Sequence, residues 1–430
     1  MKTYWWICLL AAVLLTACAS SSSNSGDDDN GAADDDVTLD DDATIDDDTT
    51  VDDDTTVDDD TTVDDDTTPD DDTADDDTTP AEWPGPPWFG CTDQDEPGDA
   101  TVITAMDQVD QYWVDGDDRR SIDTVVNFPV AGDWSQVTMR VELECPADGQ
   151  CDHWDRDANI FVVNSPGTPD EQVVELSRYI TPFKLGMCML TDVTAYKNLL
   201  VGALTIRSIV DTWVGPGSPY GHGWRVTLKF IFHPAKDENT PDQIIDLWPY
   251  STVELGNPDN PIPTQLGTVD PLLPATVSRA ELRILTTGHG QGNKNNCGEF
   301  CTMHQRVLVN GAPYYFNPWR GDCAHNPIGP DQAGSWMYPR NGWCPGAVVL
   351  PQVIDVTADV VAGAANDLGY DFFLDEEGSI YENTCRPGAG DENDYCAGCQ
   401  FNQNPGNCDY DGNMHTDPID LLSLQLYVWE

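Results

Sequence analysis

The sequence predicts a mainly β protein, two antiparallel β-sandwich domains behind an acidic N-terminal spacer. Three observations point there. Apolar and polar residues alternate over short stretches at 137–143, 159–163, 204–210, 224–232, 280–285, 306–309 and 421–429, the period of a half-buried strand. Clusters of Gly, Pro, Asn and Asp separate these stretches, and helix-like patterns are confined to short pieces at 106–113 and 195–200. The third observation is length. Of 430 residues, the 350 after position 80 exceed one small domain and are rich enough in Trp, Tyr, Val and Ile to bury two cores. The pattern weakens into a Pro/Asp/Asn-rich stretch at 234–274, read as the crossing between the two domains.

The N-terminus is read first as an export signal. Lys2 precedes an apolar run at 4–15 that is too short to span a bilayer and ends in Leu15-Thr16-Ala17-Cys18. That ending resembles a bacterial lipobox, in which Cys18 is acylated and becomes the new N-terminus after cleavage. Each buried methylene of an acyl chain contributes about 0.8 kcal/mol, so several chains would hold the protein to a membrane. The expected arrangement is a signal peptide over 1–17, a spacer over 18–82, an N-terminal domain over 83–240 and a C-terminal domain over 241–430. The expected location is the cell envelope or outer-membrane surface, as an exported lipoprotein.

Asp-Asp-Asp recurs every six residues from Asp34 through the triplet at Asp70, with one more at Asp75. This repeat has too little apolar surface to offset the entropy of ordering, and like charges extend it, so a disordered stalk is expected. The first 80 residues hold 27 Asp and one Lys, leaving 50 acidic against 18 basic residues in the remainder. Such a surface repels phosphate backbones and anionic headgroups, so nucleic acid and a polybasic membrane patch are set aside.

Apart from Cys8 and Cys18, twelve cysteines remain, an even number that in an exported chain reads as disulfides. Local pairs are expected between Cys145 and Cys151, Cys297 and Cys301, and Cys323 and Cys344. A zinc site at Cys396 and Cys399 with Cys385 and Cys408 is the alternative, less favoured in an oxidising compartment. Cys385 to Cys408 reads as an inserted, stapled decoration. The run from Asn407 to Asp420 only faintly follows a calcium-loop pattern. The seven histidines fall outside His-x-His and His-Glu-x-x-His spacings, so neither a metal nor another cofactor is expected.

Two segments could carry chemistry. In Cys145-Pro-Ala-Asp-Gly-Gln-Cys151-Asp-His-Trp-Asp-Arg, a short cystine loop precedes Trp154, Asp155 and Arg156 at the entrance to a strand, where loops of a sandwich converge. A carboxylate beside an arginine is expected to stay ionised and to act as a base or hold water; a plain surface ion pair is the competing reading. Cys297-Gly-Glu299-Phe-Cys301 again frames an acid within a tight loop. A third segment at 319–343 adds Arg320, Asp322, Trp336, Arg340 and Trp343.

Taken in order, Cys-Asp-His-Trp-Asp-Arg-Asp-Ala-Asn-Ile, Arg178-Tyr-Ile-Thr-Pro-Phe, Asp211-Thr-Trp213, Cys-Gly-Glu-Phe-Cys, Cys323-Ala-His-Asn-Pro-Ile and Gly342-Trp-Cys-Pro-Gly resemble the bacterial peptide-N-glycosidase F family over about residues 100–360. The resemblance implies two side-by-side jelly rolls and hydrolysis of the amide joining an N-linked glycan to asparagine. It implies that Asp155, Arg156 and Glu299 are catalytic, and that Asp211, Trp154, Trp213, His289, Arg340 and Trp343 line a substrate cleft. Asp211 stands in place of a family glutamate and Phe300 where the family can have tryptophan. An N-glycosylated protein or peptide would be the partner, and a monomer is expected. An endoglycosidase using paired carboxylates and a non-catalytic glycan-binding protein are the competing functions.

Overall fold

The computed structural model describes residues 91–92, 95–147, 149–235, 239–255, 260–290, 298–373 and 418–430. The signal segment, Cys18, the Asp-rich repeat, Cys297 and the whole of 385–408 lie outside them, as does most of the calcium-like run. Among the described residues, long strands packed as two jelly-roll β-sandwiches dominate. In the first sandwich, a four-stranded sheet runs in the order Thr101–Gln111, Trp224–Pro234, Trp134–Glu144, Met187–Asp192. It faces a five-stranded sheet ordered Ala347–Val348, Gln172–Ile180, Asp157–Asn164, Gly202–Val210, Ser121–Phe128. Every strand pair is antiparallel, and alternate residues point inward. Met139, Val141, Trp224, Leu228 and Phe230 from one sheet meet Ile160, Val162, Leu176 and Ile206 from the other.

The second sandwich pairs Gln243–Glu254, Ile419–Trp429, Arg279–His289 and Gln352–Asp355 in one sheet. Its other sheet holds Thr268–Val269, Leu368–Phe373, His304–Val309 and Ala312–Phe316. Leu282, Ile284, Val307, Phe372, Leu424 and Leu426 form its core. Both sandwiches lie in one compact unit, Asp75–Glu430, and the chain stitches them together, because Ala347–Val348 pairs with Gln172–Ile180 of the first.

One strand face explains how they join. Along Arg279–His289, the even positions Ala280, Leu282 and Ile284 fill the second core, while Arg283, Leu285 and Thr287 are buried toward the first sandwich. Ile419–Trp429 is buried on both faces for the same reason, which accounts for its near-continuous apolar run. The seam also contains polar groups with partners. Arg178, fully buried, is held by both oxygens of Glu175 and donates to Thr287 Oγ1 (2.9 Å) and the Leu421 carbonyl. Tyr196 donates to Gln425 Oε1 across the same seam (2.6 Å).

Three local expectations need correction. Residues 106–113 are not helical. They belong largely to the strand Thr101–Gln111, whose register slips between Thr104 and Met106 and again between Met106 and Val109. These bulges turn both Ala105 and Met106 inward and break the two-residue period. At 195–200 there is only the 3₁₀ turn Thr194–Tyr196. The stretch 234–274 contains the twelve-residue strand Gln243–Glu254, hidden in sequence by two register shifts around Trp248 and by Pro249.

Candidate active site

The first catalytic candidate sits where the cystine loop meets a strand. Cys145 and Cys151 are disulfide-bonded with Cα atoms 4.3 Å apart, closing a hairpin-like loop. Asp152 follows, fully buried, and collects four donors: Trp154 N (3.0 Å), Arg156 Nε (2.7 Å), Arg156 Nη2 (3.3 Å) and Thr212 Oγ1 (2.7 Å). Arg156 and Thr181 exchange two more bonds, from Arg156 N to Thr181 Oγ1 and from Thr181 N to the Arg156 carbonyl, each 2.9 Å. Residues 152–156 are therefore fixed at both ends, and Asp155 projects from the turn between them. The arginine beside it is not its partner. Arg156 turns to Asp152, so the expected ion pair between Asp155 and its neighbour is replaced by one made four residues back along the chain.

Glu299 comes from the second sandwich. Its N–H donates to the Gly290 carbonyl (2.9 Å), and its own carbonyl accepts from Asn341 N (2.9 Å). Gly288 and Gly298 let these backbones touch: a Cβ on Gly288 would stand 2.1 Å from the Gly298 carbonyl oxygen and 2.3 Å from Asn341 Nδ2. Cys301 is disulfide-bonded; its expected partner, Cys297, lies outside the described residues.

Arg340 unites the two acids. Its Nε lies 3.0 Å from Glu299 Oε1 and its Nη2 3.5 Å from Asp155 Oδ2. The remaining donors go to the Ser335 carbonyl (2.9 Å), the Tyr338 carbonyl (2.9 Å) and Ser335 Oγ (3.0 Å). The guanidinium also lies 4.7 Å from the Trp343 ring centre and 5.0 Å from that of Phe300. The side chain has no exposed surface. Its place as a cleft-lining group is thus corrected: it is a buried clasp whose polar atoms are committed. Trp343 is corrected likewise, being 3 % exposed with its indole N–H bound to the Gly288 carbonyl (2.7 Å).

Electrostatics at this clasp follow from burial. Glu299 is pushed up to about 7 by desolvation, with Arg340 opposing and the Asp155 charge adding to the rise. Asp155 is raised by desolvation too, against the pull of Arg340 and then Arg156. The arginine next in sequence opposes that rise only after Arg340. His289 stacks on Trp343 at 5.2 Å, shares a 2.9 Å hydrogen bond with Thr287 Oγ1, and is pushed down to about 3 by burial, then by Arg178 and Arg340. It is neutral at ordinary pH.

The outer aromatics lie differently. Trp154 and Trp213 are each 51 % exposed, a suitable surface for stacking a sugar. Asp211 is exposed beside Trp213, whose Nε1 reaches its Oδ2 (3.3 Å), and its N–H donates to the Asp157 carbonyl (2.9 Å), which ties it to the strand following Asp155. Arg120 was not singled out in sequence, yet it organises this corner. It grips Asp118 through Nε (3.0 Å) and Nη2 (2.6 Å), reaches Asp211 Oδ1 through Nη1 (3.2 Å), and lies 4.0 Å from the Trp213 ring centre. Trp113 stands 5.9 Å from Trp213. Asp152, Arg120 and Trp113 carry no signal of their own in the sequence beyond the proximity of Asp152 to the Trp-Asp-Arg run.

Cys323 and Cys344 are disulfide-bonded. With Asp322 they form the one close group of potential metal ligands among the described residues, but a cystine offers no thiolate. A further disulfide, Cys91 with Cys188, links residues 97 positions apart and could not be read from local spacing.

Known proteins resemble this chain in sequence and in fold. Residues 263–382 match the family described as peptide-N-glycosidase F, C terminal. The chain is 29% identical over 294 residues to peptide-N(4)-(N-acetyl-β-D-glucosaminyl)asparagine amidase F of Elizabethkingia miricola, covering 64% of this chain and 78% of that protein. Its fold superposes on PNGase F, a glycosylasparaginase from Flavobacterium meningosepticum, with a TM-score of 0.59 at 21% identity, over 77% of this chain and 96% of that one. PNGF-II superposes with a TM-score of 0.55 at 15% identity, over 77% of this chain and 65% of that one. In the sequence of its second half and in its fold, this chain is similar to the peptide-N-glycosidase F family.

Proposed function

We propose that the chain is a peptide-N4-(N-acetyl-β-glucosaminyl)asparagine amidase that releases an N-glycan as a glycosylamine and leaves aspartate where asparagine stood. The observation that carries this reading is the Arg340 clasp, which brings Asp155 and Glu299 from different sandwiches to one guanidinium. The substrates of the relatives support it. Desolvation pushes Glu299 up to about 7 and raises Asp155 as well, which suits one carboxyl to give a proton and the other to take one. The ionised member takes a proton as water attacks the side-chain carbonyl of the substrate asparagine, and the protonated member supplies one to the departing nitrogen. Arg156 Nη1, the guanidinium nitrogen not bonded to Asp152, is available to the developing oxyanion. Trp154, Trp213 and Asp211 hold the first sugar outside this centre.

The same proposal covers the setting. Disulfides suit an oxidising compartment, the Leu-Thr-Ala-Cys run makes Cys18 a lipid anchor, and the Asp/Thr-rich segment serves as a spacer carrying a monomeric enzyme away from its membrane. Mass spectrometry of a treated glycopeptide tests the chemistry. An amidase leaves Asp; a product retaining one sugar on Asn identifies an endoglycosidase, and intact substrate identifies a binder. Asp155→Asn and Glu299→Gln should each lower kcat by about 10²–10⁴; unchanged rates in both would falsify the assignment.

A further inference from the structure

At the far end of the strand that carries His289, the seam between the sandwiches opens into a cavity of about 650 Å³. Arg283 lines it, six residues and roughly 20 Å from His289 at about 3.4 Å per residue. This arginine is 9 % exposed and forms no ion pair among the described residues; Glu175, whose charge reaches it, is itself paired with Arg178. Arg283 Nη1 donates to Tyr196 OH (2.9 Å) and its Nη2 to the Leu176 carbonyl (3.3 Å), both neutral acceptors. A buried cation ordinarily has a carboxylate against it, as Arg178 has Glu175 and Arg320 has Asp322 elsewhere in this molecule. The other charges on the cavity wall are engaged without it. Glu281 pairs with Arg279, and Asp192 accepts from the amide and hydroxyl of Thr194. Trp429, with Arg279 4.3 Å from its ring centre, and Tyr427 supply flat apolar wall, while Thr191 adds a hydroxyl.

We propose that this cavity is a second ligand site, separate from the catalytic clasp, for a small organic acid whose carboxylate completes the ion pair of Arg283 while its body rests on Trp429 and Tyr427. A carboxylated sugar and a simple aliphatic acid share that chemistry.

Titration calorimetry of the full chain with N-acetylneuraminate, its methyl ester and succinate separates these sources. One-to-one binding of either free acid, with the ester at least tenfold weaker, supports the site. Binding of neuraminate alone assigns it to sugar acids; succinate alone assigns it to aliphatic acids. Arg283→Gln should abolish that binding and leave glycopeptide turnover within about twofold. Because Arg283 also secures Tyr196 and Leu176, a second variant keeps the test decisive. Val353 lines the cavity on an edge strand and is 58 % exposed, so Val353→Glu sets a competing carboxylate at the mouth without disturbing the core. It should weaken binding by about tenfold. The proposal fails if neither acid binds, if the ester binds as well as the acid, or if both variants bind like the parent protein. Since the readout is binding, it stands or falls independently of the amidase activity.

Discussion

In the proposed sugar site, Asp211 is one methylene shorter than glutamate, and Arg120 sets where it lies. The guanidinium is anchored by both oxygens of Asp118 and by Asp211, and it covers one face of Trp213. Stacking on Trp213 is accordingly left to the surface not taken by Arg120. Removing the arginine frees the carboxylate and the indole together, so Arg120→Ala should raise KM by roughly tenfold, about 1.4 kcal/mol of binding, with kcat little changed. Steady-state kinetics on a glycopeptide checks it, and a fall in kcat with KM constant would contradict it. Arg340 acts on the acids themselves, lowering the pKa of both Glu299 and Asp155. The parent enzyme should show a bell-shaped profile of kcat/KM against pH, its alkaline limb near 7 where Glu299 loses its proton. Arg340→Met removes the opposing cation, so both limbs should move to higher pH, and stability should fall by about 3–5 kcal/mol because a buried ion pair is broken.

The elements around the site work by close approach of backbone. The end of the strand Arg279–His289 lies against residues 298–299 through Gly288, where a methyl would strike the Gly298 carbonyl and the Asn341 amide. Gly288→Ala should push the Glu299 segment off Arg340 and cut turnover by more than tenfold while thermal denaturation still shows one cooperative transition. The cystine at Cys145–Cys151 closes a much smaller loop than Cys323–Cys344 or Cys91–Cys188. Alternation made most of the long strands readable, as at 224–232 and 204–210, because one face is core and the other is not. It failed at Thr101–Gln111 and Gln243–Glu254, where bulges reset the phase.

For the whole molecule, the seam between sandwiches couples folding to pH. Asp420, fully enclosed there, and Asp157, half-buried, are each pushed up to about 7 by desolvation. Asp420 Oδ1 accepts from Thr286 Oγ1 (2.7 Å), and its Oδ2 is buried without a partner among the described residues. A folded-state value above the unfolded one means that folding takes up protons between about 4 and 7, so this contribution is complete below the unfolded value and is lost as pH rises through 7. Melting temperature should therefore rise as pH is lowered from 8 to 6. Asp420→Asn should flatten that slope and raise the melting temperature at pH 8 by about 2–4 °C for each kcal/mol recovered; an unchanged slope would exclude this acid as a source. The sequence by itself determined the strand-rich class, the tight cystine loops and the two acid-bearing segments, because alternation, turn chemistry and short-range spacing are local properties. Only the tertiary structure decided that Arg156 serves Asp152, that Arg340 is an enclosed clasp and not a wall of the cleft, and that Arg120 governs Asp211. Those partners are 4, 41 and 91 positions apart. A charged side chain pairs with whatever the packed sheets bring within reach, and that depends on how two sandwiches meet and not on order along the chain.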